Sequence, residues 1–558
     1  GAGHAIIGVM AAGIVIRALA SVLSDKTAEP PVLALAADGS SVVPLLGGHR
    51  GANALAETIA AHTGGHAART TAGEGAFGIA LDAPPPGWRV ENEGAVRAVT
   101  AALLSGQPVS LCVAAGSADW LNASGAPFVS VDALDGTGPS VWVTDAICTP
   151  GAETVVLRPP VLALGIGCAR GADRDDVIAL GERALGEARL SPLALACVVS
   201  VDIKADEGAV HDAARHFGVP ARFFDAARLE EEHPRLENPS DRVFAEVGCH
   251  GVSEGAALAA VGAPGTLALA KIKSADATAA IARAGAGETI DADAIGRPRG
   301  VLTVVGIGPG AVDWRTGEAA RVLARATDVV GYGLYLDLVA DLTGGAVRHT
   351  SNLAEEEARV RQALDLAAGG RRVALVSSGD AGIFALATLT FELLDREDRA
   401  DWNRVALSVA PGVSAFQAAA ARIGAPMGHD FCAISLSDLL TPWEAITGRL
   451  DAAGRGDFVV ALYNPVSKRR RHQIAEARDI LLRYRPRETP VVLGRNLGRA
   501  DETVEVITLS ELSAERADML TMVVIGSSNT RHIMRGDNAW VYTPRGYDKK
   551  MDGKREAS

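Results

Sequence analysis

The chain has 558 residues, 48% hydrophobic and 22% charged, with a formal net charge of −13. At roughly 100–200 residues per domain, that length carries about three to five domains. The acid excess excludes a global basic surface for DNA or RNA, while local cation clusters for small polyanions stay possible. In chain order, the first element is Ala5–Leu23, almost wholly apolar and close to membrane-span length. Arg17 interrupts it and no basic stretch precedes it, so it reads as a buried strand, a turn at Ala11-Ala12-Gly13 and a helix, not a span or a leader. Position 1 is Gly, and the chain reads as starting inside a domain with an upstream piece missing. Short apolar runs then recur at Val32–Leu35, Val109–Val113, Val161–Leu164, Val301–Val305, Val373–Val376, Phe458–Leu462 and Met522–Ile525, with helical stretches between them. Buried parallel strands alternating with helices define an α/β, multidomain architecture.

Three breaks mark boundaries: the rigid Ala83-Pro84-Pro85-Pro86-Gly87, the Arg158-Pro159-Pro160 turn, and polar Gly287–Gly300. They predict domains at 1–82, 83–158, 159–286 and 300–544, the last split near 410/411, and a disordered tail at 545–558. The six cysteines are scattered without a CxxC pair or zinc spacing, so no metal is expected. Free thiols in a reducing cytosol are the natural reading, with a cytoplasmic location.

The chemistry concentrates after Val301. Val301–Thr316 reads VLTVVGIGPGAVDWRT, an apolar strand running into Gly306, Gly308 and Gly310, where backbone amides can approach a ligand closely. A dinucleotide loop requires an acidic residue just after the next strand. Asp328 instead precedes Val329-Val330, and Pro309 sits where the helix should open, which opposes a nicotinamide-dependent oxidoreductase. VALVSSGDAGIF, VAPGVSAFQ, ALYNPVSKRRR and VIGSSNT add four more small or polar strand ends. Ligands of open α/β sheets bind at the carboxyl ends of strands.

As a set, GIGPG, SGDAGIF, PGVSA, YNP and the late IGSS closely resemble the tetrapyrrole methylase family, in that family's order. VVGYGLYLDLV, SSGDAGIFALA and ALYNPVSKRRRHQ are most similar to its precorrin-3B C-17-methyltransferases. The resemblance implies two α/β subdomains around a cleft, a homodimer, and S-adenosyl-L-methionine as methyl donor. The acceptor it implies is a corrin precursor, a polycarboxylate macrocycle that is methylated and ring-contracted in cobalamin biosynthesis. By the same resemblance, Pro309 and Gly310 lie near the donor, and Gly379, Asp380, Ile383 and Phe384 form its main loop. Ser408, Pro411, Ala461, Leu462, Ile525 and Ser527 line the adenine side. Asp380 has a plainer alternative as a turn residue capping a helix. A sulfonium methyl is already activated, so the protein needs to position the reactants and no covalent nucleophile is called for.

Lys468, Arg469, Arg470 and Arg471 are successive cations. Such a run is usually a solvated face, but a polycarboxylate ring complements local cations. Asn464, Lys468, Arg469 and Arg495, with Arg499, are the substrate candidates. Ring contraction also needs proton transfers; Asp313, His349, Asp438 and His472 are available, and none is assigned as catalytic.

Upstream, VMAAGIVIRALASVLSDK and LLGGHRGANALA resemble the N-terminal part of the cobalt-precorrin-5A hydrolase family, and LALGIGCAR, VDIKADEG, HGVSEGAALAAVG and LALAKIKS its C-terminal domain. That family opens a lactone and releases a two-carbon fragment from the contracted ring, so the resemblance implies a fusion of two enzymes of one pathway. Gly48, His49, Gly51 and Asn53 form a glycine-rich turn whose helix-end amides suit substrate carboxylates; a tight turn with an Asn cap is the alternative. Thr70-Thr71-Ala72-Gly73-Glu74 stands where the family commonly carries TTATD, a departure at the acidic position. Gly251-Val252-Ser253-Glu254-Gly255 fits the G-x-S-x-G pattern, but Ser253 reads better as a helix N-cap. Lys204 and Glu254 are candidate substrate contacts. The alternative for this half is a non-catalytic binder of corrin intermediates.

Overall fold

Residues 4–23, 29–48, 51–68, 76–134, 136–352, 355–467 and 470–547 are described in a computed structural model of the chain. It falls into two units, Gly1–Pro298 and Arg299–Ser558, and both are α/β.

The first unit carries three sheets in succession. Ile6–Gly8, Val32–Leu35, Ser41–Leu46 and His66–Ala67 form the first, in that order. The helix Ala12–Leu19 follows Ile6–Gly8, so the apolar stretch is a strand, a turn and a helix. Among the described residues, no helix is long and apolar enough to cross a membrane. The second sheet runs Arg89–Val90, Thr154–Arg158, Ser140–Val143, Val109–Val113, Phe128–Ser130. Arg158 is fully buried and satisfied: it donates to the Thr144 carbonyl at 2.8 Å and the Ala146 carbonyl at 2.6 Å, and pairs with Glu91. The third sheet runs Ala221–Phe224, Leu195–Val201, Leu162–Cys168, Ala277–Arg283, Thr266–Lys273, the first three parallel and the last two antiparallel.

Period-two alternation splits Leu162–Cys168 between two cores. Leu162, Leu164 and Ile166 pack with helices Arg174–Glu187 and Gly208–Phe217, while Ala163 faces the helix Val252–Val261. Gly165 lets that helix approach, because a Cβ there would stand 1.9 Å from the Ser253 carbonyl oxygen. Ser253 is therefore not the N-cap expected of it. Gly251 holds the cap position, and the Ser253 hydroxyl is buried without a partner inside the helix.

The second unit joins two five-stranded sheets. In the first, Val347–Ser351, Asp328–Tyr332, Arg372–Ser377, Val301–Gly306 and Ala406–Ala410 are all parallel, so every carboxyl tip lies on one edge. Leu302 and Val304 bury against the helix Glu356–Ala368, and Val305 faces the helix Gly317–Arg325 on the other side. The second sheet is mixed, in the order Phe431–Ser435, Val459–Tyr463, Thr521–Ile525, Pro490–Arg495, Thr503–Thr508. Thr521–Ile525 runs antiparallel to both neighbours.

Candidate functional site

Three glycine loops meet at the tips of the parallel sheet. Gly308 and Gly379 exchange backbone hydrogen bonds, the Gly308 N–H to Gly379 at 3.1 Å and the reverse at 2.8 Å. A Cβ on Gly306 would stand 2.7 Å from the Gly379 carbonyl oxygen and 2.8 Å from the Gly412 nitrogen; one on Gly412 would reach 2.1 Å from the same carbonyl. Only glycine allows the three loops to touch here. Gly308 and Gly379 also take left-handed φ values of 76° and 69°. Asp380 fastens the junction: one oxygen accepts the Gly382 N–H at 2.9 Å and the other the Gly412 N–H at 3.1 Å. Thr316 adds a further tie, its hydroxyl donating to the Pro411 carbonyl at 3.1 Å while accepting from Ala319 N–H. Phe384 completes the loop with φ 50° and 55% exposure. A large apolar side chain held exposed in a strained backbone makes Phe384 a candidate for ligand contact.

The second sheet presents one face to these loops. Val459, Ala461, Met522 and Val524 share a core with the helix Ala415–Ile423, and Ile383, Val413 and Tyr463 pack against it. The Tyr463 ring lies 5.0 Å from that of Phe384, tilted by 50°. Burial pushes the Tyr463 hydroxyl up to about 12, against an opposing pull from hydrogen bonds with Ser414 and the Phe416 N–H. It is thus a neutral phenol at the edge of the cradle. From the other side, Arg499 donates to the Pro309 carbonyl at 3.1 Å, and Gly310 sits against Gly498, with a would-be Cβ 3.0 Å from the Gly498 carbonyl oxygen. The Asn496–Arg499 loop and the GIGPG loop therefore close on one another.

The site residues read from sequence sort into groups. Pro309, Gly310, Gly379, Asp380, Ile383, Phe384 and Pro411 gather at the tips, with Ala461 on the facing sheet. Ser408 is exposed, two residues short of the Ala410 tip, with its hydroxyl 2.8 Å from that of Thr303. Leu462 is corrected by the pleat: its side chain points to the opposite core, with Val460, Leu493 and the helices Trp443–Arg455 and Gln473–Leu481, so only its backbone faces the site. Ile525 and Ser527 are corrected by strand direction. Ile525 pairs with Val460, which puts the IGSS turn at the amino end of Val459–Tyr463, remote from Asn464. There Ser528 binds Asp457, and Arg485 donates to the Gly526 carbonyl. The opposite end of the same strand, Thr521-Met522, lies beside Arg495 instead.

Asn464 takes a left-handed turn at its tip and donates to Ser435 Oγ at 3.1 Å. Arg470 is buried and spent on structure, reaching the Asn464 carbonyl at 2.9 Å and Ser437 Oγ at 3.1 Å. Arg471 faces outward toward Glu515, and Arg495 pairs with Asp518 at 2.8 Å. Lys468, Arg469, His49, Thr70–Glu74 and most of the 545–558 tail lie outside the described residues. Asp328 starts its strand and accepts the His349 ring at 2.8 Å, at the amino edge and away from the tips, so neither is placed for ring chemistry. Sequence reasoning missed Tyr463 and Met522; the YNP tyrosine was legible as the residue before a strand-end turn.

In the first unit, Asn53 is buried in the first turn of the helix Ala52–Thr63, and Gly51, not Asn53, holds the cap position. Lys204 sits 4.0 Å from Glu207, whose carboxylate accepts the Gly171 N–H at 3.1 Å. Glu254 is corrected: at 1% exposure it accepts the N–H groups of Glu237, Asn238 and Lys271 and the Asn238 side-chain amide. Burial opposes its charge, but these donors hold its carboxyl below the ordinary value. It ties a loop and a strand to the buried helix and has no face for a substrate.

The paired α/β subdomains and their glycine cradle are those of a methylase. The chain belongs to the family "Tetrapyrrole (Corrin/Porphyrin) Methylases", which matches residues 301–513. Within it, the chain is 49% identical over 249 residues to "Precorrin-3B C(17)-methyltransferase" of Sinorhizobium sp, covering 44% of this chain and 97% of that protein. It is 45% identical over 260 residues to "Cobalamin biosynthesis protein CobIJ" of Mycobacterium tuberculosis (strain ATCC 25618 / H37Rv), covering 45% of this chain and 50% of that protein, so the match spans about half of that relative. The solved structure titled "Crystal structure of the methyltransferase CobJ" aligns at 42% identity with a TM-score of 0.42, over 44% of this chain and 100% of that one. Upstream, "Cobalamin synthesis G N-terminal" matches residues 1–74, "Cobalamin biosynthesis central region" 79–159 and "Cobalamin synthesis G C-terminus" 162–282. The methylase is thus fused behind three cobalamin-synthesis G regions.

Proposed function

We propose that residues 300–544 transfer a methyl group from S-adenosyl-L-methionine to C-17 of precorrin-3B or its cobalt form, with ring contraction, in cobalamin biosynthesis. The observation that carries the reading is the convergence of Gly306, Gly379 and Gly412 at one set of strand tips, beside an exposed Phe384 and facing Ala461 and Tyr463. A cradle of bare backbone offers amides and carbonyls to the amino-acid and nucleoside parts of such a donor, and the Phe384 ring offers an apolar wall. When bound, the donor supplies a methyl group already activated by its sulfonium. The chain's own part is positioning: Asp380 fixes the loop spacing, and Arg499 holds the Pro309 turn against the second sheet. Arg499, beside the Pro309 turn, and Arg495, paired with Asp518 in this structure, are the described cations proposed to meet a polycarboxylate ring. The test is incubation of the full chain with precorrin-3B and methyl-labelled donor. Label in a ring-contracted product supports the reading; label left wholly in the donor under conditions where a relative turns over contradicts it.

For the upstream half we propose domains at 1–82, 83–158 and 159–286, supported by one sheet in each stretch. Two functions are open to it: hydrolysis of the lactone of cobalt-precorrin-5A, or binding and handing on of ring intermediates. The burial of the Ser253 hydroxyl, which leaves it unable to act as a nucleophile, favours the second. Release of a two-carbon fragment from cobalt-precorrin-5A by the full chain decides for the first. The proposal includes a homodimer through the methylase and a cytoplasmic setting, to be checked by light scattering and fractionation.

A further inference from the structure

The first unit holds a cluster that none of the chemistry above uses. Glu230 ends the short helix Ala226–Glu230, His233 opens the turn His233–Arg235, and His250 follows the helix Asp241–Val247. His250 Nδ1 lies 2.8 Å from Glu230 Oε1, and His233 Nδ1 lies 3.3 Å from the same oxygen. One atom from each residue falls within 4.8 Å of the other two. Donors around a tetrahedral ion with bonds of about 2.0–2.2 Å stand roughly 3.3 Å apart, so the cluster is close to a ligand set.

Its backbone is already fastened. The His250 N–H donates to Glu230 Oε2 at 2.9 Å, and its carbonyl accepts the Ser240 N–H at 2.8 Å. On the far side of the ring, Asp241 Oδ1 is 3.6 Å from His250 Nε2, near the place of the outer carboxylate that orients a metal-binding histidine. Phe244 stacks on His250 at 4.4 Å and limits its rotation.

We propose that Glu230, His233 and His250 bind one divalent ion of the borderline class, Zn2+ or Co2+, through two imidazole nitrogens and one carboxylate oxygen. Imidazole with carboxylate selects this class over Ca2+ and Mg2+, which take oxygen. Three protein ligands leave a fourth position for water or a small ligand. The two imidazoles lie 3.9 Å apart and 7° from parallel, and parallel rings cannot both aim lone pairs at one ion. Binding therefore turns His233 out of the stack, the side chain with 43% exposure against 16% for His250. The inference is independent of methyl transfer.

The competing account is a hydrogen-bonded clamp that holds two loops and takes no ion. Tag-free full chain titrated with Co2+ alone separates them. We expect one saturable equivalent with visible d–d absorption of a four-coordinate ion, displaced by Zn2+. His233→Ala leaves the Glu230–His250 contacts in place and weakens Co2+ binding at least about tenfold, with an unchanged circular-dichroism spectrum and thermal melt of the full chain as the check on folding. No saturable absorption, or equal Co2+ affinity in His233→Ala, overturns the site.

Discussion

Gly412→Ala strains the cradle at its tightest point. The new Cβ would stand 2.1 Å from the Gly379 carbonyl oxygen, where ordinary contact begins at 3.4 Å, so the loops must part by about 1.3 Å. That carbonyl also accepts the Gly308 N–H, so the parting stretches the Gly308–Gly379 pair. Overpacking costs about 1–3 kcal/mol, and two weakened backbone hydrogen bonds add about 0.5–1.5 kcal/mol each. If only about 2 kcal/mol of this appears as lost donor affinity, binding falls roughly thirtyfold. Calorimetry with S-adenosylhomocysteine reads that directly. Gly448→Ala is the control: it lies in the helix Trp443–Arg455, its Cβ meets nothing within 4 Å, and it gains up to about 1 kcal/mol of helix stability. Equal affinity in Gly412→Ala and wild type would refute the reasoning.

Tyr463→Phe tests the buried phenol. Its hydroxyl is held up at about 12, while an unfolded tyrosine titrates near 10. The stability it contributes is whole below about pH 10 and is lost as pH rises through 12. The variant removes that share of the alkaline decline in urea stability, and an unchanged profile would contradict the assignment. Glu254→Ala leaves four part-buried hydrogen bonds without their acceptor and destabilises the first unit by about 2 kcal/mol or more, while leaving methyl transfer intact; a folded variant with altered ring binding instead would restore Glu254 as a substrate contact. Arg470→Ala lowers stability by more than about 1 kcal/mol and Arg471→Ala by less than about 0.5 kcal/mol in denaturant melts, because only Arg470 is buried. Burial pushes the Cys197 thiol up to about 12 and Cys168 to about 11, so both resist alkylation of the native chain at pH 8 and react on unfolding.

The first sheet and its cradle were legible because their signals are local. Each strand is a short β-branched run, and each glycine loop follows its strand directly. What escaped was set by distant pairing. Leu462 was grouped with Ala461, but the pleat sends adjacent side chains to opposite cores. Ser527 was placed on the adenine side with Ala461 because it follows a strand; the antiparallel course of Thr521–Ile525, which no residue in that run announces, puts it at the amino end of Val459–Tyr463. Arg470 looked like one of four equivalent cations, and its burial depends on Ser437 and Asn464 folding over it. The Glu230–His233–His250 cluster was hidden by a long gap before its third member.

The proposed seat of the methyl donor is the set of loops at the parallel tips. Hydrogen–deuterium exchange of the full chain with and without S-adenosylhomocysteine tests this placement most directly. Exchange should slow in 306–310, 379–384 and 411–414, with no protection added at 525–530. Protection confined to 525–530, or absent from all three glycine loops while the ligand is bound, would contradict it.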